Sequence, residues 1–476
     1  MKISFFGGLN EIGGNKILLE ADGSRLFLDF GKSYKESAKY FEEYLNPRTV
    51  HGLKDYLEMD LIPYLEGVYR PDLIKLLNLE GRDFFKYQKP IIDGVLLSHG
   101  HLDHSGYLSF LDPKIPVYLS YETMATLEAF NISRPASLEN EIIQIKDRSK
   151  PGLKSGKKTK RKFVVIEDQK PFKIKNLEII PFCVDHSIPG ALMFLIKTKN
   201  KNILYSGDFR LSEIPEEKKQ AIEKTLFQEG IDVMLCEGTR ISEKTVLREK
   251  EVYVSAKEKV AQVKGLIVVD YSLADIVRFK TLSKIAQEIN RRFALPYAYF
   301  NYLAVLKEKG LPVGDLSHIV LYAKQKASLK KWEKELIKNN EVCLSSEIKK
   351  HPQKFMVALN YYQVTELIDW GVNEESYYLR AITEPHSEEM EISEQRFINW
   401  ICHFKMQGLV KDEKNNFVFD RAHISGHISG KELENFLDKI KPELLIPIHT
   451  EKAEEFKEIY ESSKIKLMEK GEVFEC

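Results

Sequence analysis

The stretch Ser98-His99-Gly100-His101-Leu102-Asp103-His104 carries most of the information about this chain. It follows the apolar run 93–97, which is typical of a short buried strand. Four side chains that commonly bind metal ions fall within six positions, a spacing that chance rarely produces. His99 and His101 alternate and can face one point, while Asp103 and His104 can turn toward a neighbouring point. The spacing therefore predicts a loop that binds two metal ions lying close together.

Three further ligand-type residues follow other predicted strands. His186, Asp208 and His449 each come just after an apolar run of strand type. A single histidine after a strand is usually only part of a turn, but three such residues beside the 98–104 stretch indicate one shared site. Asp208 is the natural bridge, because a carboxylate has two oxygens to share between two cations.

The composition sets limits on the class of protein. The chain has 476 residues, 43% of them hydrophobic, so it can bury a large core and is not disordered throughout. Lys plus Arg and Asp plus Glu both number 71, which excludes a surface that is basic all over. Any contact with a polyanion must therefore come from local patches.

The cysteines and the apolar runs indicate a cellular compartment. The five cysteines are scattered and form no C-x-x-C pair, which argues against a disulfide framework or a cysteine zinc finger. The N-terminal strand-like run meets glycines at once, and no stretch approaches 18 uninterrupted apolar residues. We expect a reduced, soluble, cytoplasmic protein with no signal peptide and no membrane span.

Two patterns of secondary structure alternate along the chain. Short strand-type runs dominate the first half, and the segment after about Ser242 alternates long charged helices with buried strands. From about Arg421 the short strands and glycine turns return. We therefore expect one domain made of 1–240 and 421–476, into which a parallel-sheet domain, 241–420, is inserted.

The sequence resembles those of the metallo-β-lactamase superfamily, and within it those of the β-CASP ribonucleases. The opening Gly7–Asn15 is similar to the start of ribonuclease J. The family's ordered motifs match Asp29, then His99, His101, Asp103 and His104, then His186, Asp208, Glu237 (motif A), His427 (motif B) and His449 (motif C). The resemblance implies an α/β fold: a metallo-β-lactamase αββα sandwich with an inserted, Rossmann-like β-CASP domain.

The resemblance also implies a substrate. A histidine at motif C, here His449, goes with enzymes that act on RNA, so the expected activity is zinc-dependent hydrolysis of single-stranded RNA. There are departures from the family pattern. The short segment after His449 implies that the C-terminal domain of ribonuclease J is lacking, and the E-G-T of motif A is closer to the pre-mRNA cleavage endonuclease. The subfamily stays open, as do exonuclease or endonuclease action, the preferred 5′ group, and a monomer or homodimer.

The same resemblance suggests roles for the site residues. We expect two Zn²⁺ ions, with Asp208 as the bridge, and the remaining ligands are His99, His101 and His186 for the first ion and Asp103, His104 and His449 for the second. His427 is expected to contact the scissile phosphate and to protonate the leaving oxygen. Glu237 is expected to orient His427 or His449, and Asp29 to support the metal loop. Ser425, Gly426 and His423 are candidate phosphate contacts.

Several features leave alternatives open. The basic stretch Lys146–Lys162 is either a solvated loop tip or a contact for RNA phosphates, and RNA is expected between the two domains. The tyrosine-rich stretch Tyr34–Tyr87 fits core packing better than base stacking. Arg240 and Arg278 are weaker candidates for phosphate contacts. Three other functions compete: a DNA nuclease of the same superfamily, a small-ester hydrolase, and a catalytically silent RNA-processing scaffold.

Overall fold

The computed structural model describes residues 1–42, 44–78, 88–149, 158–385 and 388–476. The chain forms two compact units. The first contains Met1–Val246 and Gly426–Cys476, and the second contains Leu247–Ser425. Each unit has its own sheets. Among the described residues, no helix is long and apolar enough to span a membrane.

The first unit begins with short strands and few helices. Its described strands up to residue 246 are β1 (Lys2–Phe5), β2 (Ile17–Ala21), β3 (Ser24–Leu28), β4 (Gly94–Leu96), β5 (Val117–Leu119), β6 (Gln144–Lys146), β7 (Lys158–Lys160), β8 (Phe163–Val165), β9 (Phe172–Ile174), β10 (Leu177–Cys183), β11 (Leu192–Lys197), β12 (Asn202–Tyr205) and β13 (Val233–Glu237). The helices of this segment are α1 (Tyr34–Ala38), α2 (Lys54–Glu58), α3 (Pro71–Asn78), α4 (Leu102–Ser105), α5 (Tyr121–Ser133) and α6 (Glu216–Glu229).

The second unit alternates helices with buried strands. Its strands are β14 (Ile267–Asp270), β15 (Arg292–Pro296), β16 (Ile319–Tyr322), β17 (Val342–Cys343), β18 (Phe355–Ala358), β19 (Tyr377–Arg380), β20 (Leu409–Lys411) and β21 (Phe417–Phe419). Its helices are α7 (Glu249–Val260), α8 (Ile276–Glu288), α9 (Tyr297–Glu308), α10 (Lys331–Asn339), α11 (Ser345–Lys350), α12 (Glu366–Trp370) and α13 (Glu388–His403). The chain then returns to the first unit with α14 (Gly430–Ile440), β22 (Leu444–Ile448), α15 (Phe456–Ile459) and β23 (Val473–Glu475).

Two sheets pack face to face in the first unit. One has the order β23-β1-β2-β3-β4-β5-β8 and the other the order β22-β13-β12-β11-β10-β9. Along β13, Val233 and Leu235 join the core between the sheets, whereas Met234 and Cys236 join the core beneath α6 and α14. Alternate residues thus bury on opposite faces, and helices cover each outer face. This is the αββα sandwich that the sequence predicts, and the expected fold class is confirmed.

The second unit is built on a parallel sheet with the order β17-β16-β15-β18-β14-β19. Its central strands are buried along their whole length, as in the run Ile267–Asp270 of β14. Parallel strands need both faces covered, which explains why the sequence reads as apolar runs rather than as an alternation. The unit therefore has the Rossmann-like character expected of the inserted segment. The expected domain limits, 240/241 and 420/421, stay a prediction.

The strand directions in the first unit determine where the candidate ligands lie. Strands β12, β13 and β22 are parallel neighbours, so their carboxyl ends meet at one edge of the sheet. Asp208 follows β12, Glu237 ends β13, and His449 follows β22. Strand β10 runs in the same direction, because two antiparallel pairings separate it from β12, and His186 follows it. His99 follows β4 of the facing sheet.

Candidate metal centre

Three imidazoles converge at one point of the first unit. His99 Nε2 lies 3.0 Å from His101 Nδ1, which lies 3.2 Å from His186 Nε2. Two of the other ring nitrogens have outer partners, because His186 Nδ1 donates to the Gly426 carbonyl at 2.8 Å and His99 Nδ1 lies 3.0 Å from Ser98 Oγ. These partners leave a lone pair of His186 and of His99 facing the shared point, as a metal ligand requires.

A second group of two carboxylates and two imidazoles lies beside the first. It contains Asp103, His104, Asp208 and His449, and its ligand atoms lie within 4.8 Å of one another. His449 Nε2 is 3.4 Å from Asp103 Oδ2, and His104 Nε2 is 3.7 Å from the same oxygen. The Thr239 hydroxyl lies 2.9 Å from His449 Nδ1 and donates to the His449 carbonyl, so it accepts the Nδ1 proton. His449 therefore also presents Nε2 as a ligand atom.

Asp208 lies between the two groups. Its Oδ2 is 3.2 Å from His104 Nε2 and 3.4 Å from His449 Nε2, and it is 3.7 Å from His186 Nε2. Its Oδ1 is buried without a hydrogen-bond partner. A buried polar atom without a partner costs free energy, so this oxygen indicates that a further group belongs there.

The electrostatics of the cluster fit a bound cation. Burial holds the pKa of His99 and His186 well below the usual value and lowers the pKa of His101 to about 4. These rings are therefore neutral and have lone pairs to donate. Burial opposes ionisation of Asp208, but His104 and His449 outweigh it and hold the Asp208 pKa well below its usual value. Neutral imidazoles and ionised carboxylates are the donor set that zinc prefers.

Asp29 supports the metal loop from outside the two groups. Its Oδ2 accepts hydrogen bonds from Ser98 Oγ at 2.6 Å, His104 Nδ1 at 2.6 Å and Tyr205 OH at 2.5 Å. Its Oδ1 accepts the backbone N–H of Ser98 at 2.7 Å. The bond from His104 Nδ1 directs Nε2 of that ring into the second group. Ser98, Tyr205 and Thr239 are site residues that the sequence reasoning missed, because hydroxyl residues are common near strand ends and carry no signal of their own.

Glu237 contacts His427 rather than His449. His427 Nδ1 lies 3.0 and 3.1 Å from the two carboxylate oxygens of Glu237, and the Phe209 N–H also donates to Glu237 at 2.9 Å. Burial lowers the pKa of His427, but the nearby carboxylates of Glu237 and Asp208 outweigh it and raise the value to about 9. The geometry therefore favours an imidazolium whose Nδ1 proton is held by Glu237.

Comparisons with known proteins agree with this geometry. Residues 82–267 match the family model of the beta-lactamase superfamily domain, and residues 418–466 match that of the Zn-dependent metallo-hydrolase RNA specificity domain. The chain therefore contains a metallo-β-lactamase superfamily domain. The second match contains both His427 and His449.

Several curated proteins resemble nearly the whole chain. Ribonuclease J 2 of Streptococcus pyogenes is 23% identical over 95% of this chain and 70% of its own length. Ribonuclease J of Pyrococcus abyssi is 22% identical over 95% of this chain and 90% of its own length. Ribonuclease J of Methanocaldococcus jannaschii is 21% identical over 94% of this chain and 91% of its own length. The chain is thus ribonuclease J-like, and the predicted family membership is confirmed.

The fold comparison covers nearly the full chain. A crystal structure of a protein of unknown function from Enterococcus faecalis has a TM-score of 0.71, 21% identity and 99% coverage of both chains. This likeness concerns the fold alone. It shows that the same fold extends over nearly the whole of both chains.

The expected substrate contacts divide between the two units. Ser425 and His423 belong to the second unit, and Gly426 to the first. A Cβ on Gly426 would lie 2.8 Å from His186 Nδ1, so glycine permits the close approach of its carbonyl to that ring. His423 Nδ1 lies 3.1 Å from the Arg278 guanidinium. Contacts of these residues with RNA stay predictions.

The two arginine candidates have partners within the chain. Arg278 is fully buried and forms a two-point ion pair with Glu249, so the structure contradicts the expectation of an exposed phosphate contact there. Arg240 pairs with Glu243 and donates to the His427 carbonyl at 3.3 Å. Both arginines thus contribute to local structure.

The remaining sequence features have mixed outcomes. In the tyrosine-rich stretch Tyr56 and Tyr69 are buried, and the exposed members are Tyr34, Tyr40, Tyr44 and Tyr64. Residues 150–157 of the basic stretch, together with Tyr87 and His386, lie outside the described residues. The described end of the basic stretch, Lys158–Lys160, forms an exposed strand paired with Gln144–Lys146.

Proposed function

We propose that this protein is a zinc-dependent ribonuclease that hydrolyses phosphodiester bonds of single-stranded RNA with two Zn²⁺ ions. The observation that carries the proposal is the pair of neighbouring ligand groups, with Asp208 of the second group 3.7 Å from His186 of the first. One group is all imidazole, and the other combines imidazole with carboxylate. The match to an RNA specificity domain over residues 418–466 supports RNA as the substrate.

The ligand sets follow from the two groups. His99, His101 and His186 would hold the first ion, Asp103, His104 and His449 the second, and Asp208 would bridge them. A pair of bound zinc ions lowers the pKa of water toward neutrality and neutralises charge on phosphoryl oxygens. The outer contacts of Ser98, Asp29, Thr239 and Gly426 fix the ring orientation of the ligands.

His427 is the candidate general acid. Glu237 holds its Nδ1 proton, and the raised pKa keeps the ring protonated at neutral pH. Its Nδ1 lies 3.8 Å from Asp208 Oδ2, so the ring borders the metal centre. We propose that His427 gives a proton to the oxygen that leaves phosphorus and stabilises charge on the phosphate before cleavage. Glu237 orients His427 and has no contact with the phosphate in this proposal.

The first experiment compares substrates and metal states of the purified protein. We expect cleavage of a labelled single-stranded RNA, much slower cleavage of the matched DNA, loss of activity after zinc is removed by a chelator, and recovery with zinc. Metal analysis should find two zinc ions per chain. Equal cleavage of DNA would favour the DNA nuclease alternative, and a zinc-free, inactive protein would favour the silent scaffold.

A 5′-labelled RNA with and without a 5′ monophosphate separates the modes of cleavage. Immediate release of single nucleotides indicates a 5′ exonuclease, whereas mid-length fragments indicate an endonuclease. Light scattering coupled to size exclusion distinguishes a monomer from a homodimer. We propose the cytoplasm as the location.

A further inference from the structure

The glycine-rich segment Gly7–Asn15, here called the glycine loop, contacts two ligands of the second ion group. The N–H of His449 donates to the Gly8 carbonyl at 2.7 Å, and the N–H of Asn15 donates to the Asp103 carbonyl at 3.1 Å. Glu11 also forms a backbone bridge with Thr450, the residue after His449. One short loop thus holds two ligands that lie 346 residues apart in the chain.

The glycine loop also approaches the side chains of this group. A Cβ on Gly13, whose φ is +80°, would lie 2.6 Å from both Cβ and Oδ2 of Asp103. The backbone therefore packs directly against the carboxylate that binds the second ion, and only glycine allows that approach. Asn15 reaches a third ligand indirectly, because its Nδ2 donates to Tyr205 OH, which donates to Asp29, the acceptor for His104.

The first ion group has different outer contacts. His99 is oriented by Ser98 and His186 by the Gly426 carbonyl. Neither contact involves residues 7–15. The direct contacts of the glycine loop are thus with the second group, and it reaches His99 only through Tyr205, Asp29 and Ser98.

Glu11 holds the glycine loop in shape. Its side chain is only 3% exposed, Oε1 accepts the Gly8 N–H at 2.8 Å, and Oε2 accepts the Ser33 hydroxyl. The buried ammonium of Lys16 donates to the carbonyls of Gly14 at 2.8 Å and Gly31 at 3.1 Å. A carboxylate suits this position because both of its oxygens accept a donor, whereas an amide would turn its NH₂ toward one of them.

We propose that Glu11 is a positioning residue that sets the zinc affinity of the second group, Asp103, His104, Asp208 and His449, and leaves that of the first group unchanged. The inference rests on the proposed function, since it requires one ion at each group. Outer partners of metal ligands commonly change metal affinity by about 10- to 100-fold. A loss of that size confined to one of two neighbouring ions would reveal the selectivity.

The test is a zinc titration of Glu11→Gln against a competing chelator, with folding checked by far-UV circular dichroism. Two variants, His186→Ala and His449→Ala, identify which binding step belongs to which group. We expect the second step to weaken by about 10- to 100-fold in Glu11→Gln while the first step keeps its affinity. The absorption spectrum of the cobalt-substituted protein should lose only the component that His449→Ala removes.

The matched control is Glu366→Gln, because Glu366 is a buried glutamate of the second unit that accepts the Tyr322 hydroxyl and pairs with Lys324. This variant should bind zinc in both steps of the titration with the affinities of the wild type. If Glu11→Gln does not fold, Ser33→Ala removes one of the same hydrogen bonds and should weaken the second step in the same direction. Equal weakening of both steps, or of neither, would overturn the inference alone. A wild-type protein with a single zinc step would overturn the two-ion proposal and this inference with it.

Discussion

Two clusters of buried charged side chains differ in how they are neutralised. In the second unit the fully buried guanidinium of Arg278 meets both oxygens of Glu249, at 2.7 and 3.1 Å, and the Ala381 carbonyl at 2.9 Å. In the metal centre the carboxylates of Asp103 and Asp208 face the imidazole rings of His104 and His449. Burying charge is costly unless a counter-charge accompanies it. The chain supplies a permanent counter-charge in one cluster, and in the other we expect bound cations to add to what the imidazoles supply.

The largest effect is expected when Asp208 of the metal centre is substituted. In Asp208→Ala we expect kcat/KM for RNA cleavage to fall by at least about 10⁴-fold, roughly 5 kcal/mol, because both ion groups lose their shared ligand. RNA cleavage rates and zinc content of the folded variant check this. An active variant that retains two zinc ions would show that Asp208 is not the bridge.

Substitution of Glu249 tests the other cluster, the buried ion pair of Arg278 and Glu249. In Glu249→Ala the buried Arg278 loses its counter-charge, and we expect the free energy of unfolding of the second unit to fall by about 3–5 kcal/mol. Urea denaturation followed by circular dichroism measures the loss, and metal analysis should find unchanged zinc content. Loss of zinc without loss of stability would contradict the distinction between the two clusters.

The pair formed by Glu237 and His427 sharpens the comparison, because here the chain supplies a counter-charge inside the metal centre. A raised pKa keeps His427 protonated at neutral pH, so activity that needs its proton is lost as the pH rises through that pKa. Without the Glu237 carboxylate the pKa falls. In Glu237→Gln the alkaline limb of the pH–rate profile should therefore move to lower pH, by about one unit.

Thr239→Val is the matched control for this shift. The Thr239 hydroxyl contacts His449, and the valine variant keeps the backbone N–H that donates to Glu237, so we expect it to leave the alkaline limb in place while weakening zinc binding. An identical profile for Glu237→Gln and wild type would exclude His427 as the group that titrates.

The smallest effect on function is expected from exposed lysines of the basic stretch, whose charge RNA phosphates would neutralise. Lys158, Lys160 and Lys162 are exposed. Changing all three to Gln should weaken RNA binding about threefold and reduce the salt dependence by about 0.7 in log–log slope per lost phosphate contact. Binding isotherms across a salt series measure both values. The control variant changes three exposed lysines of α10, Lys331, Lys334 and Lys338, and should bind as wild type does.

Much of the candidate site could be predicted because its chemistry is local in the sequence. The loop 98–104 carries four ligand-type side chains in one short stretch, and His186, Asp208 and His449 each follow an apolar strand. Carboxyl ends of parallel strands meet at one edge of a sheet, so residues of this kind come together in the fold. The family and the fold class followed from the same pattern, and both are confirmed.

Other features depended on contacts that no local pattern encodes. Arg278 was a weak candidate for a phosphate contact, yet Glu249, on a neighbouring helix, pairs with it in the interior. The sequence left two partners for Glu237, His427 or His449. Only the packing of the strand ends puts His427 at Glu237 and Thr239 at His449.

The sequence by itself determined the donor set of the metal centre, the strand ends that carry it, and the family, because these depend on residue types and short spacings. The tertiary structure alone decided which outer partner orients each ligand. It also placed the backbone of the glycine loop in direct contact with His449 and Asp103. Such contacts join residues hundreds of positions apart, and their energies depend on distance and burial in the folded chain.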